Sequence, residues 1–271
     1  MIKRRLIRAV AQPFKPLLSK VIWPEGSVRA VLWGPCRGLR YRIFPDMGLS
    51  PIYGGWEEEA QSLMLDHIRP GSVVYDVGAN YGIHTLLMAR VAGARGHVYA
   101  FEPLPEIYSA LEENISLNDF SNVTCVRAAV DEQSGEMAFV KGDHVGAGHL
   151  GAVGDAAGET TTVRTVTLDE FVFGQKNRPP DFIKMDIEGA EGRALAGGER
   201  VLQSYRPILL IDLHNPEQDI AVGKILSRCG YEAQHTDTML KVQDLSKGWP
   251  EPDGLWGQFI AFPRKQAPDR D

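Results

Sequence analysis

The residues able to do chemistry stand at the ends of short apolar runs. Asp186, Glu188 and Glu191 follow Phe182-Ile183-Lys184-Met185, while Asp212 and His214 close the run Ile208-Leu209-Leu210-Ile211. Carboxylates and an imidazole gathered in one crevice can move protons. An imidazole with its ordinary pKa of about 6.5 takes a hydroxyl proton at neutral pH more readily than a carboxylate does. Asp186, Glu188 and His214 are therefore the candidate catalytic residues. Residues two apart on a strand face the same way, so Asp186 and Glu188 both reach the crevice if the strand extends that far. The same cluster permits a second chemistry, in which Asp186 and Asp212 hold Mg²⁺ or another hard divalent ion that acidifies a substrate hydroxyl. Hydrogen-bonded carboxylates without metal are the simpler state. Glu191 reads as a dipole partner at the start of the next helix, Lys184 as a salt-bridging strand-end cation, and His84 as structural.

A second set lies upstream. In Asp76-Val77-Gly78-Ala79-Asn80-Tyr81-Gly82 a strand gives way to a glycine turn, where missing Cβ atoms let backbone N–H groups approach a ligand. Its spacing is G-x-x-x-G, not the G-x-G-x-x-G that seats a pyrophosphate on a helix N-terminus. Asp76 would repel a pyrophosphate but suits a cationic sulfonium or amino group, so charge favours S-adenosylmethionine (SAM) over a nicotinamide dinucleotide. The next apolar run ends in Phe101-Glu102-Pro103, with Glu102 placed 24 positions after Gly78. A doubly wound fold keeps the acid that accepts ribose hydroxyls at about that place. Ala128-Ala129-Val130-Asp131 closes the third run, and Asp131 can accept from an adenine amino group or stand in a loop without a role. Asp76, Gly78, Asn80, Tyr81, Gly82, Glu102 and Asp131 are thus the candidate cofactor residues.

The elements that must position these groups alternate. Buried strands are expected at Val73–Val77, His97–Phe101, Val123–Val126, Phe182–Met185 and Ile208–Ile211, with helices at about 82–92, 105–118, 190–204 and 217–229. This β/α order implies a doubly wound sheet. Two strand-like pieces near Glu232–His235 and Gln258–Phe262 suit an antiparallel closing hairpin at its edge. Before the sheet, apolar positions from Trp56 to Ile68 recur at helical spacing until Arg69-Pro70-Gly71 stops them. Val28–Trp33 and Leu39–Phe44 read as a β-hairpin. The expected organisation is an N-terminal extension over 1–55 and a catalytic domain over 56–271.

Asp76–Gly82, Phe101-Glu102-Pro103, Ala128–Asp131 and Ile183-Lys184-Met185-Asp186-Ile187-Glu188-Gly189-Ala190-Glu191 together resemble the FkbM family of methyltransferases, from about residue 57 to residue 215. The run K-x-D-x-E-G-x-E at the end of the fourth strand is the most specific part. The resemblance implies the class I, Rossmann-like SAM fold with a seven-stranded sheet. It also implies O-methylation of a sugar, glycan or natural-product hydroxyl, and a pocket that Lys184 helps to shape. Residues 1–55 and the C-terminal tail carry no part of it, so substrate choice does not transfer with it. An N-methyltransferase lacks its N/D-P-P-Y/F motif here, a nicotinamide-dependent oxidoreductase lacks its glycine pattern, and a non-catalytic SAM-binding module would not need the strand-end acids.

Composition narrows the partners. The formal charge is −6, yet the basic Lys3, Arg4, Arg5, Arg8, Lys15 and Lys20 crowd the start, leaving an acidic body unsuited to gripping nucleic acid. Cys36, Cys125 and Cys229 are too widely spaced for a disulfide framework or a metal clamp, which fits a reducing cytoplasm. In residues 1–22 the cations interleave with Leu6, Ile7, Val10, Phe14, Leu17 and Leu18, broken by Pro13 and Pro16. A helix packed on its own domain or on a second subunit of a homodimer is the simpler reading, and peripheral contact with an anionic membrane is the other. Finally, His144 and His149 lie in a glycine-rich insertion, Gly142–Gly154, expected to be mobile and exposed. They are solvated loop histidines or groups that close over the acceptor.

Overall fold

The computed structural model describes residues 24–44, 49–141, 148–150 and 160–264, with backbone alone for 141 and 148–150. The chain divides into two compact units between Glu58 and Glu59, slightly beyond the expected boundary at 55/56. In the first unit, β1 (Val28–Ala30) and β2 (Arg40–Arg42) pair antiparallel with Val28 opposite Arg42, forming the expected hairpin in shorter strands. Trp33 stacks on Tyr53 beside it, ring centroids 6.2 Å apart. The basic segment 1–22, for which a helix was expected, lies outside the described residues.

The boundary falls after the first residue of α1 (Glu58–His67), and the second unit then alternates. Its elements are β3 (Val73–Val77), α2 (Ile83–Ala92), β4 (His97–Phe101), α3 (Pro105–Ser116) and β5 (Val123–Val126). A smaller set follows: β6 (Ala129–Val130), β7 (Gly135–Lys141), β8 (Gly148–Leu150) and β9 (Thr160–Val166). The alternation resumes with β10 (Phe182–Met185), α4 (Glu191–Ala196), α5 (Glu199–Tyr205), β11 (Ile208–Asp212) and α6 (Pro216–Arg228). It ends in β12 (Tyr231–His235) and β13 (Gln258–Pro263).

Seven strands form the main sheet in the order β12-β13-β11-β10-β3-β4-β5. All pairings from β11 through β5 are parallel, and β13 runs antiparallel to both its neighbours. The doubly wound sheet with an antiparallel closing pair is the expected architecture. It is a mixed α/β fold. The parallel strands are mostly apolar because helices cover both faces; every residue of Val73–Val77 is buried, even Asp76. Since β3 is followed by β4 on one side and flanked by β10 on the other, the loops leaving β3 and β10 diverge, opening a crevice at the strands' carboxyl ends.

Packing below the crevice is aromatic. A π-helical turn at Glu170–Gly174 carries Phe171 into edge-on contact with Tyr99 and Phe101, at centroid distances of 5.2 and 4.9 Å. Tyr75 completes the group, its hydroxyl donating to the Arg178 carbonyl at 2.7 Å. Such pairs add about 0.5–1.5 kcal/mol each beyond the area they bury. They brace β3 and β4 directly beneath the residues that end in the crevice. Helix α6 is fixed from its first turn, because Asn215 caps it by accepting the Gln218 N–H at 3.1 Å and Pro216 follows.

Two expectations need correction. The run Ala128-Ala129-Val130-Asp131 does not close the third strand. After Val126 the chain turns sharply, with the Ala128 N–H reaching back to the Val126 carbonyl at 2.9 Å, and Ala129–Val130 joins a separate four-stranded sheet of order β6-β9-β7-β8. The helix expected over 190–204 is two helices, α4 and α5, separated at Gly197-Gly198. A Cβ at Gly197 would strike the Asp131 carbonyl, and one at Gly198 would lie 2.8 Å from Leu168 Cδ1. Close passage of the Asp131 and Leu168 segments thus dictates glycine there, and the glycines end the helix. Among the described residues no helix is long and apolar enough to cross a membrane.

Candidate active site

The glycine turn is stitched inward. Gly78 and Ala79 donate their N–H groups to the Phe101 carbonyl at 3.1 and 2.9 Å, and Asn80 donates to Glu102 Oε2 at 3.1 Å. Tyr81 N–H meets Asn80 Oδ1 at 2.8 Å and Gly82 N–H meets the Ala79 carbonyl at 2.9 Å. Every N–H from residue 78 to residue 82 is therefore engaged within the protein, and this loop offers an anion no such donor. The glycines do a different job from the expected one. Gly78 sits at φ +80° with its Cα face against the Asp186 carbonyl, so a Cβ would collide with it and prise β3 from the end of β10. Gly82 (φ +88°) is closed in by Leu111. Asn80 also takes a left-handed conformation, φ +50°, tolerable for asparagine.

Beneath this turn Asp76 is fully buried. Its Oδ2 accepts the Thr85 hydroxyl at 2.5 Å, and Lys184 Nζ stands 3.9 Å from Oδ1. Burial raises the carboxyl's pKa, with Lys184 and Thr85 opposing. Lys184, itself buried, also donates to the Gly78 carbonyl at 3.3 Å and lies 3.5 Å from Asp186 Oδ2. One ammonium thus ties the turn to the acids of β10. Glu102 ends β4 with Oε1 accepting the Leu104 N–H at 2.9 Å and Oε2 that of Asn80. Burial lifts its pKa from 4.5 to about 7, against the pull of those two N–H donors. A carboxylate has roughly four acceptor positions, so Glu102 keeps capacity for further donors.

Asp131 follows β6 and lies on the small sheet's side of the crevice. Arg193 of α4 holds its Oδ2 at 2.6 Å, and Oδ1 is buried without a hydrogen-bond partner. His84 is fully buried, and burial lowers its pKa to about 3, consistent with a structural residue.

At the ends of β10 and β11 the structure gathers the predicted catalytic residues, though not by strand extension. Strand β10 stops at Met185, and Glu188 (φ +57°) and Gly189 (φ +103°) turn the chain back. That turn brings both acids to one imidazole nitrogen. His214 Nε2 is 3.4 Å from Asp186 Oδ1 and 3.6 Å from Glu188 Oε2. Its Nδ1 faces Glu191 Oε1 at 3.0 Å. The expectation of an ordinary pKa near neutrality is corrected: the Glu191 hydrogen bond, then Asp186 and Glu188, raise His214 from 6.5 to about 9 despite partial burial. At neutral pH His214 is an imidazolium facing three acids.

Asp212 stands apart from this trio. Gln258 of β13 donates to its Oδ2 at 3.4 Å, and its pKa is raised by burial and by Asp186. Among the described residues, the group whose ligand-type atoms converge, within 4.8 Å, is Asp186, Glu188 and His214. Asp212 is not a member of that group, though it lies near enough to Asp186 for their charges to interact. Protonated His214 and Lys184 already supply positive charge to Asp186. His144 lies outside the described residues. His149 is described by backbone only, paired opposite Val140 in the β7–β8 ladder.

Sequence reasoning missed the partners. Thr85, Gln258 and Arg193 had no signal, being brought in from 9, 46 and 62 positions away. Glu191 had one, as the last acid of K-x-D-x-E-G-x-E, but its contact with His214 depends on the turn at Glu188.

The family model for the methyltransferase FkbM domain matches residues 76–233. The chain is 28% identical over 180 residues to the hexuronic acid methyltransferase AglP of Haloferax volcanii, covering 66% of this chain and 72% of that protein. It is 27% identical to the 31-O-demethyl-FK506 methyltransferase FkbM of Streptomyces tacrolimicus, covering 59% of this chain and 71% of that one. The crystal structure of a methyltransferase FkbM from Methylobacillus flagellatus aligns with 74% of this chain and 50% of that one, at 19% identity and a TM-score of 0.47.

Proposed function

Since the chain belongs to the methyltransferase FkbM domain family, and is on that ground a SAM-dependent methyltransferase, we propose that its acceptor is a hydroxyl of a sugar, glycan or natural product. By their names, two relatives act on hexuronic acid and on 31-O-demethyl-FK506. The observation that carries the proposal is the placement of Asp186. Its carbonyl lies against Gly78 of the turn and its carboxylate faces His214, so a group held at the turn and a hydroxyl beside the imidazole are neighbours.

The residues fit the cofactor. Glu102 has acceptor capacity left for ribose hydroxyls. Asp131 Oδ1 is a buried acceptor without a partner, the chemistry an adenine amino group needs. Asp76 Oδ1, beneath the turn, is likewise buried without a hydrogen-bond partner, and because the N–H groups of Gly78, Asn80, Tyr81 and Gly82 are engaged the turn is donor-poor, which suits a cation better than an anion. When bound, SAM supplies a methyl carbon already activated by its sulfonium. The chain's own work is alignment and proton removal. His214 Nε2 takes the hydroxyl proton once the imidazole is neutral, and Asp186 and Glu188 stabilise the imidazolium that results.

The test is methyl transfer from labelled SAM to a panel of hexuronic acids and hydroxylated macrolides, followed from pH 6 to 10. Rate should rise with pH towards about 9, because His214 must lose its proton first. His214→Gln should cut transfer about a hundredfold while S-adenosylhomocysteine affinity stays within about twofold. Undiminished transfer by that variant would remove His214 as the base.

A second reading, with a divalent ion at the strand ends, draws on the convergence of Asp186, Glu188 and His214. An ion held there would displace the His214 proton, so its affinity should rise with pH.

A further inference from the structure

A carboxylate with none of its side chain exposed is costly unless something is gained by holding it there. Glu191 is such a group, lying in the first turn of α4. Its Oε1 accepts the Gly189 N–H at 3.1 Å, which serves the helix start as expected, and the same oxygen lies 3.0 Å from His214 Nδ1. Its Oε2 is buried without a hydrogen-bond partner. Capping the helix start needs no such burial, because an exposed acid serves as well.

We propose that Glu191 is a positioning residue that holds His214 in the tautomer with the proton on Nδ1, leaving Nε2 as the proton acceptor towards the substrate hydroxyl. This inference rests on the methyl-transfer reading. The logic is one of donors and acceptors. A neutral imidazole has one of each, and an ionised carboxylate only accepts. Carboxylates face both nitrogens, but only Glu191, 3.0 Å from Nδ1 and shielded from water, stands at hydrogen-bond distance; Asp186 and Glu188 are 3.4 and 3.6 Å from Nε2, so the proton stays on Nδ1 and the lone pair on Nε2.

The surroundings fix the ring as well as the proton. Gln218 of α6 accepts the Gly192 N–H through Oε1 at 2.8 Å, tying the start of α4 to the helix that begins just after His214. A Cβ at Gly189 would come 3.0 Å from Asn215 Nδ2, so the turn bearing Glu188 and the segment bearing His214 are in close contact. The charged groups bearing on the imidazole are Glu191 of α4, Asp186 and Glu188 of the turn after β10, and Asp212 of its own strand. Glu191 alone among them addresses Nδ1.

The experiment is ¹⁵N-detected NMR of the His214 ring in the full chain, with S-adenosylhomocysteine calorimetry on the same samples. In wild type the neutral form, populated near pH 10, should carry its proton on Nδ1. Glu191→Gln should lower the titration midpoint by about two pH units and mix the tautomers, leaving S-adenosylhomocysteine affinity within about twofold. An unchanged midpoint and tautomer in a variant that still binds S-adenosylhomocysteine overturns the inference. Should that variant fail to fold, wild type decides alone: a neutral ring protonated on Nε2 overturns it. Failure of wild type to bind S-adenosylhomocysteine would instead strike the methyltransferase reading, and the ring measurement would still judge Glu191.

Discussion

The two halves of the crevice handle charge in opposite ways. At the turn after β3, polar groups are buried and answered from within: five successive N–H groups have internal acceptors, and Glu102 takes two backbone donors. At the ends of β10 and β11, Asp186 and His214 are about a quarter exposed, Glu188 45% exposed, and like charges crowd one imidazole. The first half is built to be rigid before any ligand arrives, which lowers the ordering cost of binding. The second holds protons in suspense. A methyltransferase needs both, a fixed methyl donor and a proton acceptor that responds to its substrate.

The sharpest way to break this contrast is to disturb the rigid half. Gly78→Ala adds about 1–3 kcal/mol of backbone strain and places a Cβ against the Asp186 carbonyl. We expect S-adenosylhomocysteine affinity to fall more than about tenfold and thermal stability to drop with it. Calorimetry showing wild-type affinity would mean that the turn is not the rigid element described.

A smaller effect separates the halves by pH. Glu102 is lifted from 4.5 to about 7 and His214 from 6.5 to about 9. Each raised group contributes stability in full below its unfolded pKa and loses it as pH rises through its folded pKa. Stability of the ligand-free protein should therefore decline in two overlapping stages. Glu102→Gln should abolish the lower stage, between about pH 4.5 and 7, and weaken S-adenosylhomocysteine about ten- to hundredfold. His214→Gln should abolish only the upper one, between about 6.5 and 9. Denaturant titrations across pH would show whether the stages can be removed independently.

The smallest expected effect is none. Exhaustive chelation with EDTA should leave methyl transfer unchanged, because Lys184 and protonated His214 already balance the strand-end acids. Loss of activity restored by Mg²⁺ would return Asp186 and its neighbours to a metal role.

The rigid half was also the more legible one. Strands such as Val73–Val77 and Ile208–Asp212 announce themselves because burial on both faces demands continuous apolar residues. Asp76 and Glu102 stand out as acids at the ends of such runs. The small sheet was not legible, since Ala129-Val130 is as apolar as the strand before it and the sharp turn at Ala128 carries no glycine or proline. Gly197-Gly198 did carry a breaker signal, but its cause lies in Asp131 and Leu168, remote in sequence. His214 stood out as a strand-end histidine, while its proton affinity did not. That property belongs to Glu191, whose approach depends on the left-handed turn at Glu188 and Gly189.

The inward stitching of residues 78 to 82 bears on how such a scaffold could be repurposed. Replacing Asp76 or Glu102 with neutral or basic residues would change the sign of the pocket without creating a single outward-facing amide. An engineer seeking a nucleotide-diphosphate cofactor here would have to rebuild the backbone path first, and evolution, moving one side chain at a time, faces the same barrier.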